Sequence, residues 1–383
     1  SDMNSDSRVS VVITPVLNQM TRGEEDTDIS LVGSYADPTV DLVGYDPEIN
    51  PGSDEQEVIY VFAPDPYGFH NPAALTTIDD YTSVELNAQI SSAFYKLISY
   101  NQHVIENEGE DEEAWVQLGM GALAADLTGF GASNFEMAWN YLDAIHLNPL
   151  VDTQESGAIT TSSYGAQYLF FRWVADAYGE SVLSSLVQSS EIGEANIESV
   201  MGETLQELVM KWQVAIMSEA STAGTGGLAV DSTIYPSYTP TSYISAPTTS
   251  VPSEGDFYGA NGYQSGIDVG ARNYYMSNGL GLAVENADRR VVMSHSDHST
   301  FVFGQDFFGN IAGGYATQVV RLTDIPFAAA SLEVRSSSSD YSAIVIRASD
   351  PTSLNFSQEV VYSPTDVNSI VLPAVPNNGD SIY

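Results

Sequence analysis

The stretch SSAFYKLISYNQHVIENEGEDEEAWVQLGMGALAADLTGFG, residues 91–131, predicts two helices joined by an acidic loop. Ser92 and Lys96 are four residues apart in the first helix, so they project to the same side of it. The second helix is predicted over about residues 112–127 and has one apolar face. The charge run between the helices is typical of a solvated loop. The charge run is Glu106, Glu108, Glu110, Asp111, Glu112 and Glu113, and the apolar face is Ala114, Leu118, Ala122 and Ala125.

Three parts of this stretch, residues 97–102, 112–119 and 126–129, are similar to the flanks of the active site in the hyicolysin-type family of secreted bacterial zinc metallopeptidases. Members of this gluzincin-like family carry an HExxH motif, in which two histidines bind zinc and the glutamate acts as a general base. A third ligand comes from the next helix. The resemblance extends over about residues 8–219 and implies an α+β metallopeptidase-like domain with strands first and helices after.

The positions that carry the family's chemistry all depart from its pattern. The segment Ser92-Ala93-Phe94-Tyr95-Lys96 stands where HExxH is expected, so Ser92 replaces the first histidine, Ala93 the glutamate and Lys96 the second histidine. Leu118 replaces the third ligand. An ammonium group has no lone pair for a metal, and none of the other three side chains is an imidazole or a carboxylate. The resemblance therefore implies a degenerate member without zinc ligands or a catalytic glutamate.

Lys96 is one of only two lysines in the chain, and two hypotheses account for its position. In the first, its ammonium replaces the lost metal charge and pairs with Asp126, whose family counterpart lies close to the zinc. In the second, it is a surface lysine on an altered helix. Ser92 and Lys96 also suggest a serine nucleophile with a lysine base. No Gly-x-Ser-x-Gly motif accompanies the pair, which disfavours that interpretation.

The composition restricts the classes of partner. The chain of 383 residues has 51 acidic and 11 basic residues, a formal net charge of −40. Such a surface repels the phosphates of nucleic acids and anionic lipids, so we expect no nucleic acid partner, and it suits divalent cations, basic proteins or a saline medium. The absence of cysteine excludes disulfides and a thiol nucleophile. No apolar run approaches the roughly 20 residues that span a bilayer, so we expect no transmembrane segment.

Two segments are weak candidates for binding metal ions. The acidic stretch at residues 23–28 would offer carboxylates to calcium, but it lacks the spacing of an EF-hand, and a solvated loop is the favoured interpretation. His295, Asp297 and His298 form the one close histidine pair and lie where a hairpin turn is expected. We therefore expect no cofactor, with calcium left open.

Local signals place further elements along the chain. Residues 8–16 and 57–63 predict strands, and residues 162–178 predict a helix with an aromatic stripe. Capping boxes at Thr82-Ser83-Val84-Glu85 and Thr204-Leu205-Gln206-Glu207 predict two helix starts. The core is predicted to contain the four tryptophans, Trp115, Trp139, Trp173 and Trp212. Three histidines are predicted to be surface or structural residues: His70, His103 and His146. The last helix is predicted to face inward with Leu205, Leu208, Trp212 and Ile216.

The domain organisation follows from changes in composition. Residues 1–7 are expected to be a tag remnant or a disordered start that follows a removed signal or anchor, and residues 8–220 form the metallopeptidase-like domain. Residues 221–256 are rich in Ser, Thr, Pro and Gly and predict a linker. Residues 257–383 predict a small all-β sandwich-like domain. Its strands are expected at 300–303, 317–322, 331–335, 343–347, 359–362 and 369–372.

Three functional hypotheses remain open at this level. In the favoured one, the chain is a catalytically inactive metallopeptidase homologue, extracellular or on a cell surface, that binds a protein, a peptide or a cell-surface component. The second is an active hydrolase with relocated catalytic residues. The third is a structural surface or matrix protein that depends on calcium. The first two follow from the resemblance, and the fold alone does not choose between them.

Overall fold

The computed structural model describes residues 8–20, 32–72, 74–134, 137–138, 141, 148–151, 161–222, 314–315, 332–335, 343–348, 356–362, 369–372 and 381–382. Several predictions lie outside these residues: the start at 1–7, the acidic stretch 23–28, Trp139, His146, the linker from residue 223 onward, and His295, Asp297 and His298. Among the described residues, no helix is long and apolar enough to cross a membrane.

The described part of the first 210 residues is rich in helix and contains a small mixed sheet. Strand β1 is Ser10–Thr14, β2 is Ser34–Tyr35 and β3 is Val58–Phe62. The strand order is β1-β3-β2, with β1 parallel and β2 antiparallel to β3. The predicted first strand, 8–16, is too long at its end, because Pro15 begins helix α1, Pro15–Met20. Proline at a first helical position loses no intrahelical hydrogen bond, so the strand ends before it.

Apart from the short helices α1 and α2 (Pro38–Asp41), which lie between the strands, the helices follow the sheet in the chain. After β3, a 3₁₀ turn at Asp79–Thr82 leads into α3, Val84–Tyr100, which continues as a π-helical segment, Asn101–Glu106. Helix α4, Ala114–Ala125, also continues as a π-helical segment, Asp126–Phe130, followed by a 3₁₀ turn at Gly131–Asn134. The later helices are α5, Thr161–Tyr178, α6, Ser181–Gln188, α7, Gly193–Met201, and α8, Leu205–Thr222.

The two capping predictions have different outcomes. Ser83, not Thr82, is the N-cap of α3, since its hydroxyl accepts a hydrogen bond from the Leu86 amide at 3.1 Å. The predicted box was therefore placed one residue too early. At α8 the box is complete: the Thr204 amide donates to the Glu207 carboxylate at 3.0 Å, and the Glu207 amide donates to the Thr204 hydroxyl at 3.2 Å. Reciprocal bonds of this kind satisfy two amides that the helix itself cannot pair.

The core of the first compact unit is formed by the sheet and helices α3, α4 and α5. This unit takes in the described residues up to 134 and Gln167–Gly202. One cluster joins α3 to the sheet, and four aromatic residues of α5 are buried, as Trp115 also is. The α3 cluster includes Leu17, Ile59, Val61, Phe62, Leu86, Ala93, Leu97 and Tyr100, and the buried residues of α5 include Tyr168, Phe170, Phe171 and Trp173.

The predicted apolar face of α4 is wrong. Ala114 is exposed, Leu118 and Ala122 are half-buried, and of the predicted set only Ala125 is buried. The buried residues are Trp115, Val116, Gly119, Met120, Gly121, Leu123 and Ala125. This helix is apolar on nearly every side, so its periodicity could not select the face that packs against the neighbouring helices.

The second compact unit contains α8 and the strands near the C terminus. Trp212 stacks on Tyr141 with ring centroids 5.5 Å apart, and Leu205, Leu208 and Trp212 are buried as predicted. The strands of this unit are β4, Leu332–Arg335, β5, Ala343–Ala348, β6, Phe356–Tyr362, β7, Ser369–Leu372, and β8, Ser381–Ile382. Strand β4 pairs with β7, and β5 pairs with β6 and β8, all antiparallel. The first four fall on four of the predicted strands, while those predicted at 300–303 and 317–322 lie outside the described residues. The sandwich itself stays a prediction.

Candidate functional site

Three residues of α3, Ser92, Ala93 and Lys96, and Leu118 of α4 form the altered motif. Its first two residues lie where α3 meets α4 and the sheet. The Ser92 hydroxyl donates a hydrogen bond to the carbonyl oxygen of Gly121 at 2.8 Å. A Cβ added to Gly121 would lie 3.3 Å from the Ser92 Cβ, so the helices approach closely at this point. Ala93 is buried in the cluster that joins α3 to the sheet. Serine and alanine therefore fill these positions with packing contacts and a bond between the two helices.

Lys96 contacts the segment between β2 and α2. Its Nζ donates to the carbonyl oxygen of Ala36 at 3.3 Å and lies 5.8 Å from the centre of the Tyr35 ring. Asp37 lies in the same segment. Burial opposes ionisation of its carboxyl, but hydrogen bonds from Thr39 and Tyr35, together with the Lys96 charge, leave the Asp37 pKa below its usual value. The lysine thus joins α3 to the edge of the sheet.

Asp126 has a cationic neighbour, but that neighbour is Arg172 and not Lys96. The Asp126 Oδ2 accepts a hydrogen bond from the Tyr168 hydroxyl at 3.0 Å and lies 3.6 Å from the Arg172 Nη1. Arg172 also donates to Asp176 at 2.6 Å. Burial raises the pKa of Asp126 to about 6, against the opposing effects of Arg172 and Tyr168. Lys96 and Asp126 therefore serve different contacts, and the proposed replacement of a metal charge by Lys96 does not include Asp126.

Ser92 and Lys96 are not arranged as a nucleophile and its general base. The Ser92 hydroxyl points to α4 and the Lys96 amine to the segment that follows β2. A lysine base must accept the proton of the serine hydroxyl, which requires the two groups to be hydrogen-bonded or linked by one water. Leu118, at the third-ligand position, is half-buried and offers no donor to a metal.

Glu112 is a structural residue that sequence analysis assigned to a solvated loop. Only 5% of it is exposed, in contrast to Glu106, Glu108, Glu110 and Glu113, which are exposed as predicted. Its carboxylate accepts hydrogen bonds from the Gly193 amide at 2.6 Å and from the Asn196 side chain at 2.9 Å. It thus binds the N-terminus of α7, where the helix dipole favours negative charge.

The sequence contains a signal for this contact, although it is indirect. Helix α7 begins after Ile192, which has no side-chain oxygen to cap its amides. A helix start without its own cap needs an acceptor from another segment, and Glu112 supplies it. The buried His103 adds a second contact, since its Nε2 lies 3.6 Å from the Glu112 Oε2. His103 is therefore a buried structural histidine, one of the two roles predicted for it.

The described residues do not gather a set of metal ligands. No group of three or more His, Asp or Glu side chains among them is arranged to hold an ion. At the altered motif the available groups are a hydroxyl, a methyl, an ammonium and an isobutyl group. A zinc site needs about three or four nitrogen, sulfur or oxygen ligands, so this donor set does not fit the ion of the resembling family.

A groove lies on a different side of the α3–α4 pair. It has a volume of about 360 Å³. Helices α3, α4 and α6 line it, and most of the side chains are apolar. The lining residues are Tyr95, Ile98, Gln102, Met120, Leu123, Ala124, Leu127, Leu183, Ser184, Val187 and Gln188.

Comparisons with known proteins leave the family open. No protein-family model matches the chain, and no curated protein matches it significantly.

Proposed function

We propose that this protein is a catalytically inactive homologue of the hyicolysin-type metallopeptidases, extracellular or on a cell surface, that binds protein or peptide ligands without cleaving them. The proposal rests on the resemblance of residues 91–131 and on the chemistry of the residues at the altered positions. The C-terminal segment, expected to form a β-sandwich, would add an adhesion or assembly surface.

The observation that carries the proposal is the use made of Ser92 and Lys96. Each side chain donates a hydrogen bond to a backbone carbonyl of another element, Ser92 to Gly121 and Lys96 to Ala36. In an active peptidase of the resembling family, the equivalent side chains would hold zinc. Here they link α3 to α4 and to the sheet edge, which is the role expected of residues in a scaffold that has given up its metal.

The binding half of the proposal draws on the surface around Lys96. Tyr35 is 38% exposed, and the centre of its ring lies 5.8 Å from the Lys96 Nζ. A partly exposed aromatic ring and a cation offer contacts to an extended peptide. Binding without cleavage needs only such contacts, since the general base of the family is replaced by Ala93.

A single assay with fluorescently labelled casein tests both parts of the proposal, the binding of a protein ligand and the absence of cleavage. We expect the full chain to raise the anisotropy of the label while gel electrophoresis shows no cleavage, with or without added zinc. Elemental analysis of the purified protein is expected to find much less than one zinc per chain. Chelator-sensitive cleavage would overturn the proposal in favour of a metal-dependent peptidase.

Two variants sharpen the assay. Cleavage that persists in the presence of the chelator but disappears in Ser92→Ala would indicate an active hydrolase with relocated catalytic residues, and would contradict the proposal. Lys96→Met keeps the length of the stem and removes the charge, so we expect weaker casein binding with an unchanged absence of cleavage. If casein neither binds nor is cut, the binding half of the proposal fails.

A further inference from the structure

The groove between α3, α4 and α6 has a buried apolar floor and a partly exposed apolar rim. Tyr95, Met120, Leu123 and Leu183 are buried and form the floor. On the rim, Ile98 is 40% exposed and Leu127 is 45% exposed. Large apolar side chains left open to water around a concave surface are typical of a site that another molecule covers.

This groove is separate from the altered peptidase motif. None of Ser92, Ala93, Lys96 and Leu118 lines it. The lining residues of α3 and its π-helical continuation are Tyr95, Ile98 and Gln102, at i, i+3 and i+7. Ser92 and Lys96 instead make their contacts with Gly121 and Ala36. A ligand in the groove is therefore additional to any ligand at the altered motif, and it does not depend on the proposed function.

The length of the groove matches a short helix. Its lining extends over seven residue steps along α3 and its π-helical continuation, from Tyr95 to Gln102, and over seven along α4 and its continuation, from Met120 to Leu127. At 1.5 Å per residue, each wall is about 10 Å long, or two helical turns. Two turns of an amphipathic helix present apolar anchors at i, i+3 or i+4, and i+7, which is the pattern by which such helices occupy grooves.

Exposed acidic residues lie close in the chain to residues that line the groove. Glu106 follows Ile98 and Gln102 at intervals of four residues and is exposed at the end of the π-helical segment. The Asn107 side chain donates to the carbonyl oxygen of Gln188, a lining residue, at 3.0 Å, so the exposed Glu108 and Glu110 follow directly from the end of the groove. Exposed glutamates also flank α6 in the chain, with Glu180 directly before the helix and Glu191 shortly after it.

Basic residues are absent from the segments that form the groove. The sequence has no lysine or arginine in 97–134 or in 173–202. Lys96, next in the chain, binds Ala36 on another side of α3. The charged side chains that these segments carry are therefore acidic, and the complement of such a surface is a positively charged partner.

We propose that the groove binds a cationic amphipathic helix of a partner protein. Apolar side chains of the partner helix enter the groove over Met120 and Leu123, and its lysines or arginines face Glu106, Glu108 and Glu110. The chain has a net charge of −40, so an anionic or neutral helix would gain no electrostatic attraction from this surface.

The test uses the full chain and a synthetic peptide with leucines at i, i+3, i+4 and i+7 and lysines on the opposite face. Fluorescence anisotropy measures its affinity. A matched peptide with glutamates in place of the lysines is the charge control, and we expect it to bind at least about tenfold more weakly. Raising the salt concentration should weaken binding of the cationic peptide, since salt screens exposed charges.

Two variants of equal charge separate groove binding from general attraction to an acidic protein. Leu127→Glu adds a carboxylate to the rim, and Ile49→Glu adds one at an exposed position, far from α3 in the sequence, that does not line the groove. We expect Leu127→Glu to weaken binding of the cationic peptide about tenfold or more, and Ile49→Glu to change its affinity less than twofold, with both variants retaining their helical circular dichroism.

Three results would overturn the proposal. The two variants could bind the cationic peptide equally well, which would mean that charge alone attracts it. The glutamate peptide could match the lysine peptide, which would exclude electrostatic complementarity. Sedimentation could show a dimer that Leu127→Glu converts to a monomer, which would assign the groove to a second copy of the chain. None of these results depends on casein binding, so the two proposals fail independently.

Discussion

Asp126 is a buried carboxyl group whose protonation should be visible in the stability of the protein. Burial raises its pKa to about 6 in the folded state, while the unfolded chain has the ordinary value near 4. The folded protein therefore holds this proton more tightly than the unfolded chain does. The stabilising contribution is complete below about pH 4 and is lost as the pH rises through about 6.

The variant Asp126→Asn isolates this contribution, because asparagine keeps an acceptor for the Tyr168 hydroxyl but does not titrate. We expect the stability of the variant relative to the wild type to rise by about 1 kcal/mol between pH 5 and pH 7, because only the wild type loses its protonated carboxyl in that range. Urea unfolding at the two pH values measures the difference. A difference that is the same at both values would contradict the raised pKa.

Single residues differ in how much the sequence predicts about them. The lack of metal-donor groups at Ser92, Ala93, Lys96 and Leu118 follows from the sequence alone, and the loss of a zinc site stays a prediction. The partner of Lys96 could not be predicted, since Ala36 is 60 residues away in the chain and contributes only a backbone oxygen. The arginine beside Asp126 was equally hidden, because nothing local indicates which turn of α5 faces the end of α4.

At the level of elements, two glycines of α4 differ in how much space their neighbours leave for a side chain. A Cβ on Gly119 would lie 2.8 Å from the backbone oxygen of Gln167 and 2.6 Å from the Phe171 ring. A Cβ on Gly121 would lie 3.3 Å or more from every neighbouring atom, the nearest being the Ser92 Cβ. Only the first of these requires the backbone of α5 to move.

These contacts predict opposite outcomes for two otherwise identical substitutions. Gly119→Ala is expected to destabilise the protein by about 1 to 3 kcal/mol, because overpacking outweighs the gain in helix propensity. Gly121→Ala is expected to change the free energy of unfolding by less than about 1 kcal/mol, because the propensity gain offsets a milder contact. Thermal or urea unfolding of both variants decides the matter. Equal effects would show that α4 and α5 are not in close contact at Gly119.

The elements also show how far local patterns reach. The strands around residues 10 and 60, helix α3 and the capping box of α8 were predictable, since each depends on neighbouring residues. The π-helical continuations of α3 and α4 and the buried Glu112 were not. Glu112 belongs to a charge run that is otherwise exposed, and only the uncapped start of α7, about 80 residues later, explains its burial.

For the whole molecule, an excess of acidic over basic residues makes repulsion among carboxylates the expected net electrostatic effect. A formal charge of −40 on 383 residues opposes compaction, and salt screens that repulsion over about 10 Å at 0.1 M. We expect the melting temperature to rise by several degrees between about 0.05 and 1 M sodium chloride. Differential scanning calorimetry measures the rise. A melting temperature that falls with salt would indicate that attractive ion pairs outweigh the repulsion.

The two lysines give this chain an unusual chemistry towards amine reagents. Lys96 holds the Ala36 carbonyl, and Lys211 forms an ion pair with Glu203. Lysine-directed dyes, cross-linkers and resins therefore find two side-chain amines in 383 residues, and both are engaged. Immobilisation through carboxylates could instead use 51 acidic side chains. Reaction of the Lys96 amine with a lysine-directed reagent would report directly on the junction between α3 and the sheet, where this amine donates to Ala36.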